Sequence, residues 1–330
     1  MNPPPSGADD DDENELDRSL ERALQRPALS DEALERVRAN VYAEFRQTAG
    51  AARRRRTRWI GAVAAALGTV VVGAFLISSY WMPEIVVAQL VSASGGDVLT
   101  AEGPARTRVE AGGVLHPLGS WTTRGLALAK LPSGGTVRMA EGTVVQGVDS
   151  HSLALTSGKA YFDFPPASEP FVLRTTIGTI EHVGTQFEVM QSEDGVRVRV
   201  REGNVLWHGD RSVVSIATGT EVRVDREGRL ERSTYPTYGD DWAWIDGVTP
   251  SYELENHKLI EFLNWVARET GRRLTFVDTR ARAVADRTIL HGGSVQGLRP
   301  MEALDQVLST TSLRFEVLGG EIRIASRSVT

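Results

Sequence analysis

The sequence contains no cysteine, which excludes a disulfide framework, a thiolate nucleophile and any zinc or iron–sulfur site held by sulfur. A disulfide-free chain fits either side of a bacterial inner membrane, so this absence leaves the compartment open. Histidine is scarce: His116, His151, His182, His208, His257 and His291 are the whole set, no two stand at helical metal-ligand spacing, and no HExxH occurs. There is no P-loop and no GxSxG nucleophile elbow. Gly178-Thr179 and Gly184-Thr185 lie in a strand pattern and mark turns and a strand start rather than a phosphate cradle. The paired carboxylates Asp240-Asp241 have no neighbouring base. A basic excess is missing too: the net charge of −6 argues against general nucleic-acid binding, which needs a basic face to displace counterions. No catalytic, cofactor or metal constellation emerges, and the chain reads as a non-enzyme.

What is present begins with ordinary material for folding. The 330 residues, 41% hydrophobic and 24% charged, allow two or three domains around conventional cores. The most informative stretch carries no charge from Trp59 to Pro83. As a helix rising about 1.5 Å per residue it would reach about 37 Å, enough for a hydrocarbon layer of ~30 Å. Trp59 at one end and Tyr80-Trp81 at the other suit the headgroup level. The span starts too late for a signal peptide. Arg53, Arg54, Arg55, Arg56 and Arg58 precede it, whereas Glu84, Asp97 and Glu102 come before the first later arginine, Arg106. The positive-inside rule then predicts a single-pass inner-membrane protein, with residues 1–58 cytoplasmic and 82–330 across the membrane.

Residues 1–15, with three prolines and the run Asp9-Asp10-Asp11-Asp12-Glu13, read as a disordered acidic tail. Two helical patterns follow over 16–58. Leu16, Leu20, Ala23 and Leu24 share a face that Pro27 ends. Ser30 can cap a second helix, with Asp31 and Glu32 in its first turn and Leu29 and Leu34 as a hydrophobic staple. Its stripe is Leu34, Val37, Val41 and Phe45. Two short helices cannot build a core alone, so the stripe either self-packs as a hairpin or dimer, or docks a cytoplasmic protein.

From 83 to 233 the pattern changes to short alternating stretches punctuated by glycine: Leu126 to Leu131, Thr136 to Met139, Val172 to Thr175, and Val196-Arg197-Val198-Arg199-Val200, with turn signals at Ser133-Gly134-Gly135, Ser157-Gly158 and Glu202-Gly203. This predicts an all-β unit, a sandwich or a solenoid-like stack. The Val/Arg alternation predicts one buried and one wet face. Gly134, Gly158, Gly184 and Gly203 are expected to supply positive φ or a close backbone approach, and Phe162, Phe171 and Phe187 to fill the core.

Five pieces in order, Leu131-Pro132-Ser133-Gly134-Gly135-Thr136-Val137, Gly158-Lys159-Ala160-Tyr161-Phe162, Pro170-Phe171-Val172, Val183-Gly184-Thr185-Gln186-Phe187-Glu188-Val189 and Val198-Arg199-Val200-Arg201-Glu202-Gly203-Asn204-Val205, resemble the periplasmic FecR domain over Thr122 to Leu206. The first departs from the family's usual Asp-Gly-Ser.

Residues 234–249, with Pro236, Gly239 and Asp240-Asp241-Trp242-Ala243-Trp244, read as a linker. Beyond it the pattern predicts an α+β module over 250–330 in the order β-α-β-β-α-β-β. Its parts are a strand at Tyr252 to Leu254, a helix with stripe Leu259, Phe262, Leu263 and Val266 stopped by Gly271, strands at Leu274 to Val277 and Thr288 to Leu290, a helix opened by Pro300, and a hairpin of Leu313 to Val317 and Glu321 to Ala325. Leu259, Leu263, Ala267, Thr270-Gly271, Ala303-Leu304 and Leu308 make it similar to the short N-terminal signalling domain of secretins and TonB-dependent transducers, which also closes many FecR-type proteins.

The resemblance implies a transducer that regulates an extracytoplasmic-function sigma factor in the cytoplasm. It would respond to the signalling domain of an outer-membrane transporter or another periplasmic protein, with the lipid bilayer as its third partner. The family's cytoplasmic helices usually carry tryptophan; residues 1–58 have none. The alternative is a structural or assembly module of a secretin-type envelope complex that binds no sigma factor.

Overall fold

The computed structural model describes residues 85–101, 106–166, 168–182, 184–210 and 212–327. The acidic tail, the stripe Leu34, Val37, Val41 and Phe45, the arginines 53–58 and the predicted span lie outside the described residues. Among those that are described, no helix is long and apolar enough to cross a membrane.

The described chain is β-rich. Its first strands are β1 (Ala88–Ser94), β2 (Val98–Ala101), β3 (Arg106–Val109), β4 (Val114–Leu115), β5 (Ser120–Thr123), β6 (Leu126–Lys130), β7 (Thr136–Met139), β8 (Val144–Asp149) and β9 (Ser152–Asp163). Then come β10 (Val172–Arg174), β11 (Thr179–His182), β12 (Gln186–Ser192), β13 (Gly195–Glu202), β14 (Asn204–His208), β15 (Val213–Ala217), β16 (Thr220–Asp225) and β17 (Leu230–Thr234). Pairing sorts them into two sheets. One runs β4-β1-β6-β7-β9-β12-β13-β16-β17. The other runs β3-β2-β5-β8-β9-β10-β11-β14-β15. After β9 the chain lays down two strands in one sheet, then two in the other. The product is a sandwich in cross-section that grows like a stack, so both forms of the expected all-β unit describe part of it.

One continuous core lies between the sheets. Phe162, Phe187 and Val198 from the first meet Leu173, Val205 and Trp207 from the second. Phe162, Phe171 and Phe187 are all buried, and Phe164, which the sequence reading passed over, stacks with them at ring separations of 5.3–6.4 Å. Of the two roles expected for Gly134, Gly158, Gly184 and Gly203, all four take positive φ. Gly158, however, is not a turn between strands. It sits within β9, where Ser157 still pairs with Val144 of the second sheet and Gly158 already pairs with Gln191 of the first. At φ 90°, with space for a Cβ closed by the Thr143 Cα at 2.5 Å, it is the bend by which one strand serves both sheets.

After β17 the segment read as a linker is packed: Asp240–Val248 forms a 3-10 helix with Trp242, Ile245 and Val248 buried. The C-terminal module then contains α1 (Leu259–Thr270), β18 (Arg273–Phe276), α2 (Thr279–Arg287), α3 (Pro300–Ser309), β19 (Leu313–Leu318) and β20 (Glu321–Ser326). The sheet order is β18-β20-β19, with β18 parallel and β19 antiparallel to β20. The α1 stripe Leu259, Phe262, Leu263 and Val266 is buried, and Gly271 ends the helix at φ 64°. Pro300 opens α3 and the β19–β20 hairpin turns at Gly319-Gly320, as the sequence predicts.

Two expected strands are corrected. Tyr252 to Leu254 and Thr288 to Leu290 make only isolated bridges, Glu253 with Ser294 and Ile289 with Lys258. The helix α2 occupies ground assigned to no helix. Its fully buried residues are only Ala281 and Ala285, with Val284 half-buried against the same core, and two alanines and a valine among arginines give little periodic signal. The local cue is Asp278, whose carboxylate accepts from the Ala281 N–H at 2.7 Å as an N-cap.

Candidate functional site: a covered charge ladder and its seam with the C-terminal module

The Val/Arg alternation of β13 puts Val196, Val198 and Val200 in the core, as the sequence dictates. The arginine face is not wet. Cross-strand register lines up Arg138 (β7), Tyr161 (β9), Glu188 (β12), Arg199 (β13) and Glu221 (β16) in one row, so charges of opposite sign stand directly opposite each other. Arg199 donates from Nε to Glu221 Oε2 at 2.6 Å, Arg223 donates to Glu221 Oε1 at 2.7 Å, and Arg197 donates to Glu188 Oε1 at 3.0 Å. Burial alone would raise the Glu221 carboxyl; the hydrogen bonds and charge of Arg199 and Arg223 outweigh it and hold it below the ordinary range.

The segment after β17 covers this row as a strap. Trp244 donates from Nε1 to Glu188 Oε2 at 2.9 Å and carries the Lys159 ammonium 4.4 Å above its ring. Arg199 stacks 3.7 Å over Tyr235, and Trp242 packs edge-on against Tyr161 with ring centres 6.0 Å apart. Cation–π stacking and cross-strand pairing thus replace the water that an exposed face would have had.

Beyond the strap, the C-terminal end of α1 closes on the same face. Arg138 donates from Nη2 to Glu269 Oε2 at 2.7 Å, with their side chains 0% and 5% exposed. Arg268, next in the helix, bonds Asp163 and Glu202 at the ends of β9 and β13. Arg201 donates from Nε to the Thr237 carbonyl at 2.7 Å, and the Thr237 hydroxyl donates to the Gly271 carbonyl at 2.8 Å, so strand, strap and helix end form one chain of bonds. Burial pushes the Glu269 carboxyl up against the pull of Arg138, and pushes Asp246 up as well. Arg138 Nε and Nη1, Arg201 Nη1 and Tyr161 Oη have no hydrogen-bond partner. A cleft of about 730 Å³ runs beside the seam, lined by Arg201, Glu202, Tyr238, Arg268 and Arg272 among others. The chemistry available here is ion pairing and stacking between two modules.

The histidines do not converge. His151, His208, His257 and His291 each face a separate glutamate, and among the described residues no group of His, Asp or Glu could hold a metal ion. His182 differs: it is 4% exposed, stacks 3.5 Å from Phe164, and has no partner for either ring nitrogen. Burial depresses its pKa from 6.5 to about 4. Between these values the unfolded chain binds a proton that the folded chain refuses. Stability is therefore full above pH 6.5 and falls as the pH drops toward about 4, by on the order of 3 kcal/mol at 1.36 kcal/mol per unit. The variant His182→Phe, which keeps the stack, is expected to remove that part of the acid loss in urea titrations run at pH values across the window. An unchanged pH slope would place the proton elsewhere.

None of the sequence-predicted site residues falls in this region. Leu34, Val37, Val41, Phe45 and the arginines 53–58 are outside the described residues. Sequence reasoning missed the ladder and the seam. Two signals could have found them: two tryptophans in a segment of linker composition, and glutamates at 188 and 221 on strands flanking an arginine-bearing one.

Comparison with known proteins bears on the β stack. No curated protein matches the chain. Two crystal structures of a protein from Parabacteroides distasonis ATCC 8503, described as a candidate anti-sigma factor, overlap it at 19% and 18% identity with TM-scores of 0.34 and 0.33, each covering 63% of this chain and 97% of the other. At that level the overlap bears on neither fold nor function. Residues 121–206, from β5 into β14, match the family described as FecR protein.

Proposed function

We propose that this chain is a single-pass inner-membrane transducer that regulates an extracytoplasmic-function sigma factor in response to a signal outside the cytoplasm. The observation that carries this reading is the FecR match over residues 121–206. The charge pattern around Trp59–Pro83 supports the topology, with five arginines on one flank and acidic residues on the other. In this reading the stripe Leu34, Val37, Val41 and Phe45 holds the sigma factor. The C-terminal module, which resembles the transducer signalling domain in sequence, meets an outer-membrane partner. Strand β19 supports that second role: it is an edge strand whose residues Glu316, Val317 and Leu318 are exposed, so a partner strand could add to it.

The test is a pull-down of extracytoplasmic-function sigma factors from cell lysate by the full chain and by its Phe45→Asp variant. A charge forced into the docking contact is expected to weaken capture at least about tenfold, ~1.4 kcal/mol, with membrane insertion unchanged. Equal capture by both chains removes the stripe from the contact. Failure of either chain to capture any sigma factor favours the assembly-module reading.

A further inference from the structure

Among the described residues, Leu118 is the most exposed large apolar side chain, at 84%. It also stands in a costly backbone conformation. His116-Pro117-Leu118-Gly119 is a turn closed by the Gly119 N–H on the His116 carbonyl at 3.1 Å, and Leu118, its third residue, has φ 68°. That is the position where a type II turn takes glycine or asparagine. Here the glycine comes one residue later. The turn is held firmly: Leu118 N–H donates to the Gly147 carbonyl and Gly147 N–H to the Gly119 carbonyl, both at 2.9 Å. The fold thus keeps a leucine in a strained position where it touches little of the protein.

The neighbourhood says what it faces. Ile85, 52% exposed, lies beside the turn, with its carbonyl 3.3 Å from His116 Nδ1, and Val87 donates to the Leu115 carbonyl. Neither Ile85-Val86-Val87 nor His116 to Ser120 contains Asp, Glu, Lys or Arg. Ile85 follows Pro83, the last residue of the uncharged span, by two residues, with Glu84 between them, a reach of about 7 Å at most. Of the other exposed apolar side chains of comparable size, Val91, at 36%, lies in β1, while Val213, Ile289 and Leu318 lie in β15 or the C-terminal module.

We propose that the Pro117-Leu118 turn, together with Ile85, is a lipid-contacting tip that rests the start of the β stack on the outer surface of the bilayer. The proposal rests on the topology under Proposed function, which delivers the chain to that surface beside this turn. Two apolar side chains bind a bilayer weakly when free. Tethered by the span they are held at it, because the second contact is intramolecular. The consequence is a fixed posture. Sheet order sets β17 eight strands from β4, so at about 4.8 Å per strand the end of that sheet, where the strap begins, stands roughly 38 Å away across the sheet.

The absence of cysteine makes the test direct. The full chain is reconstituted in vesicles of phosphatidylethanolamine and phosphatidylglycerol with a single cysteine at Leu118→Cys, Ile85→Cys, Val213→Cys or Gly73→Cys, each labelled with an environment-sensitive dye. Quenching by headgroup-proximal nitroxide lipid is compared with quenching by iodide. The expected result is lipid quenching at 118 and 85 several-fold above that at 213, with strong lipid quenching at 73. Lipid quenching at 73 alone, with 118 and 85 as open to iodide as 213, overturns the tip while the span stands. Shielding from iodide at 118 without lipid quenching assigns the turn to a protein partner or second copy and likewise overturns it. No lipid quenching at 73 overturns the topology, and the tip with it.

Discussion

Truncating Glu269 to alanine is expected to destabilise the described region by about 3–5 kcal/mol, the range for removing one partner of a buried ion pair. The reason is what it leaves behind. Arg138 is fully buried on β7, and Glu269 at 2.7 Å is its one hydrogen-bonding partner in the seam, since Nε and Nη1 have none. Arginine does not shed its proton, so without the carboxylate an uncompensated guanidinium remains in a dry seam. The Tyr161 ring, 5.3 Å away, supplies only a fraction of what is lost, about 0.5–2 kcal/mol. Urea unfolding of the purified chain measures the loss, and the double variant Arg138→Met/Glu269→Leu supplies the contrast. Replacing both charges by apolar groups of similar length is expected to restore most of the stability or exceed it, because the desolvation cost of both ions disappears. A loss below about 1 kcal/mol for Glu269→Ala, the size of a surface pair, would mean that water reaches Arg138 and that the seam is open in solution.

The pair's net worth to stability is thus small while the penalty for breaking it is large. Such a joint selects one arrangement of α1 on the β stack over others. For the transducer proposed above, whose two modules would act together, that property matters more than stability.

The sequence made some of this legible. Period-two alternation in β6, β7 and β13 and the turn at Ser133-Gly134-Gly135 are local signals, set by side chains that each strand carries itself. The α1 stripe and Gly271 are equally local. The ladder was hidden because half of it is remote: Glu188 and Glu221 meet Arg199 through strands 11 and 22 residues away in sequence, and only the sheet register brings them opposite. An arginine every second residue reads as a wet face unless its cover is known, and that cover, Tyr235 to Trp244, has the composition of a linker. Gly158 was read as a turn because positive φ is commonest there; its use inside β9 depends on a sheet crossing that no local pattern encodes. Helix α2 escaped because alanine buries well but signals weakly.

The second large effect is expected at Gly271. Its φ of 64° ends α1, and a Cβ built there would stand 2.0 Å from the Thr237 carbonyl oxygen and 2.2 Å from Arg201 Nε. Both atoms belong to the chain of bonds that joins β13, the strap and the helix end. Gly271→Ala therefore adds two costs. The left-handed backbone costs about 1–2 kcal/mol with any side chain. The clash forces the strap away and removes two hydrogen bonds of about 1 kcal/mol each. The sum is about 3–4 kcal/mol. Gly297→Ala separates the terms, since Gly297 has φ 80° in the same module with nothing within 4 Å of its Cβ position, so it should lose only the backbone part. The expected difference of about 2 kcal/mol between the two variants measures the seam itself. Strap fluorescence provides an independent check: displacing Thr237 should open Trp242 and Trp244 to a soluble quencher in Gly271→Ala and leave them protected in Gly297→Ala. Equal losses in the two variants, with equal protection of the tryptophans, would mean that the strap yields freely at Thr237 and that the joint between the modules is held by the Arg138–Glu269 and Arg268 pairs alone.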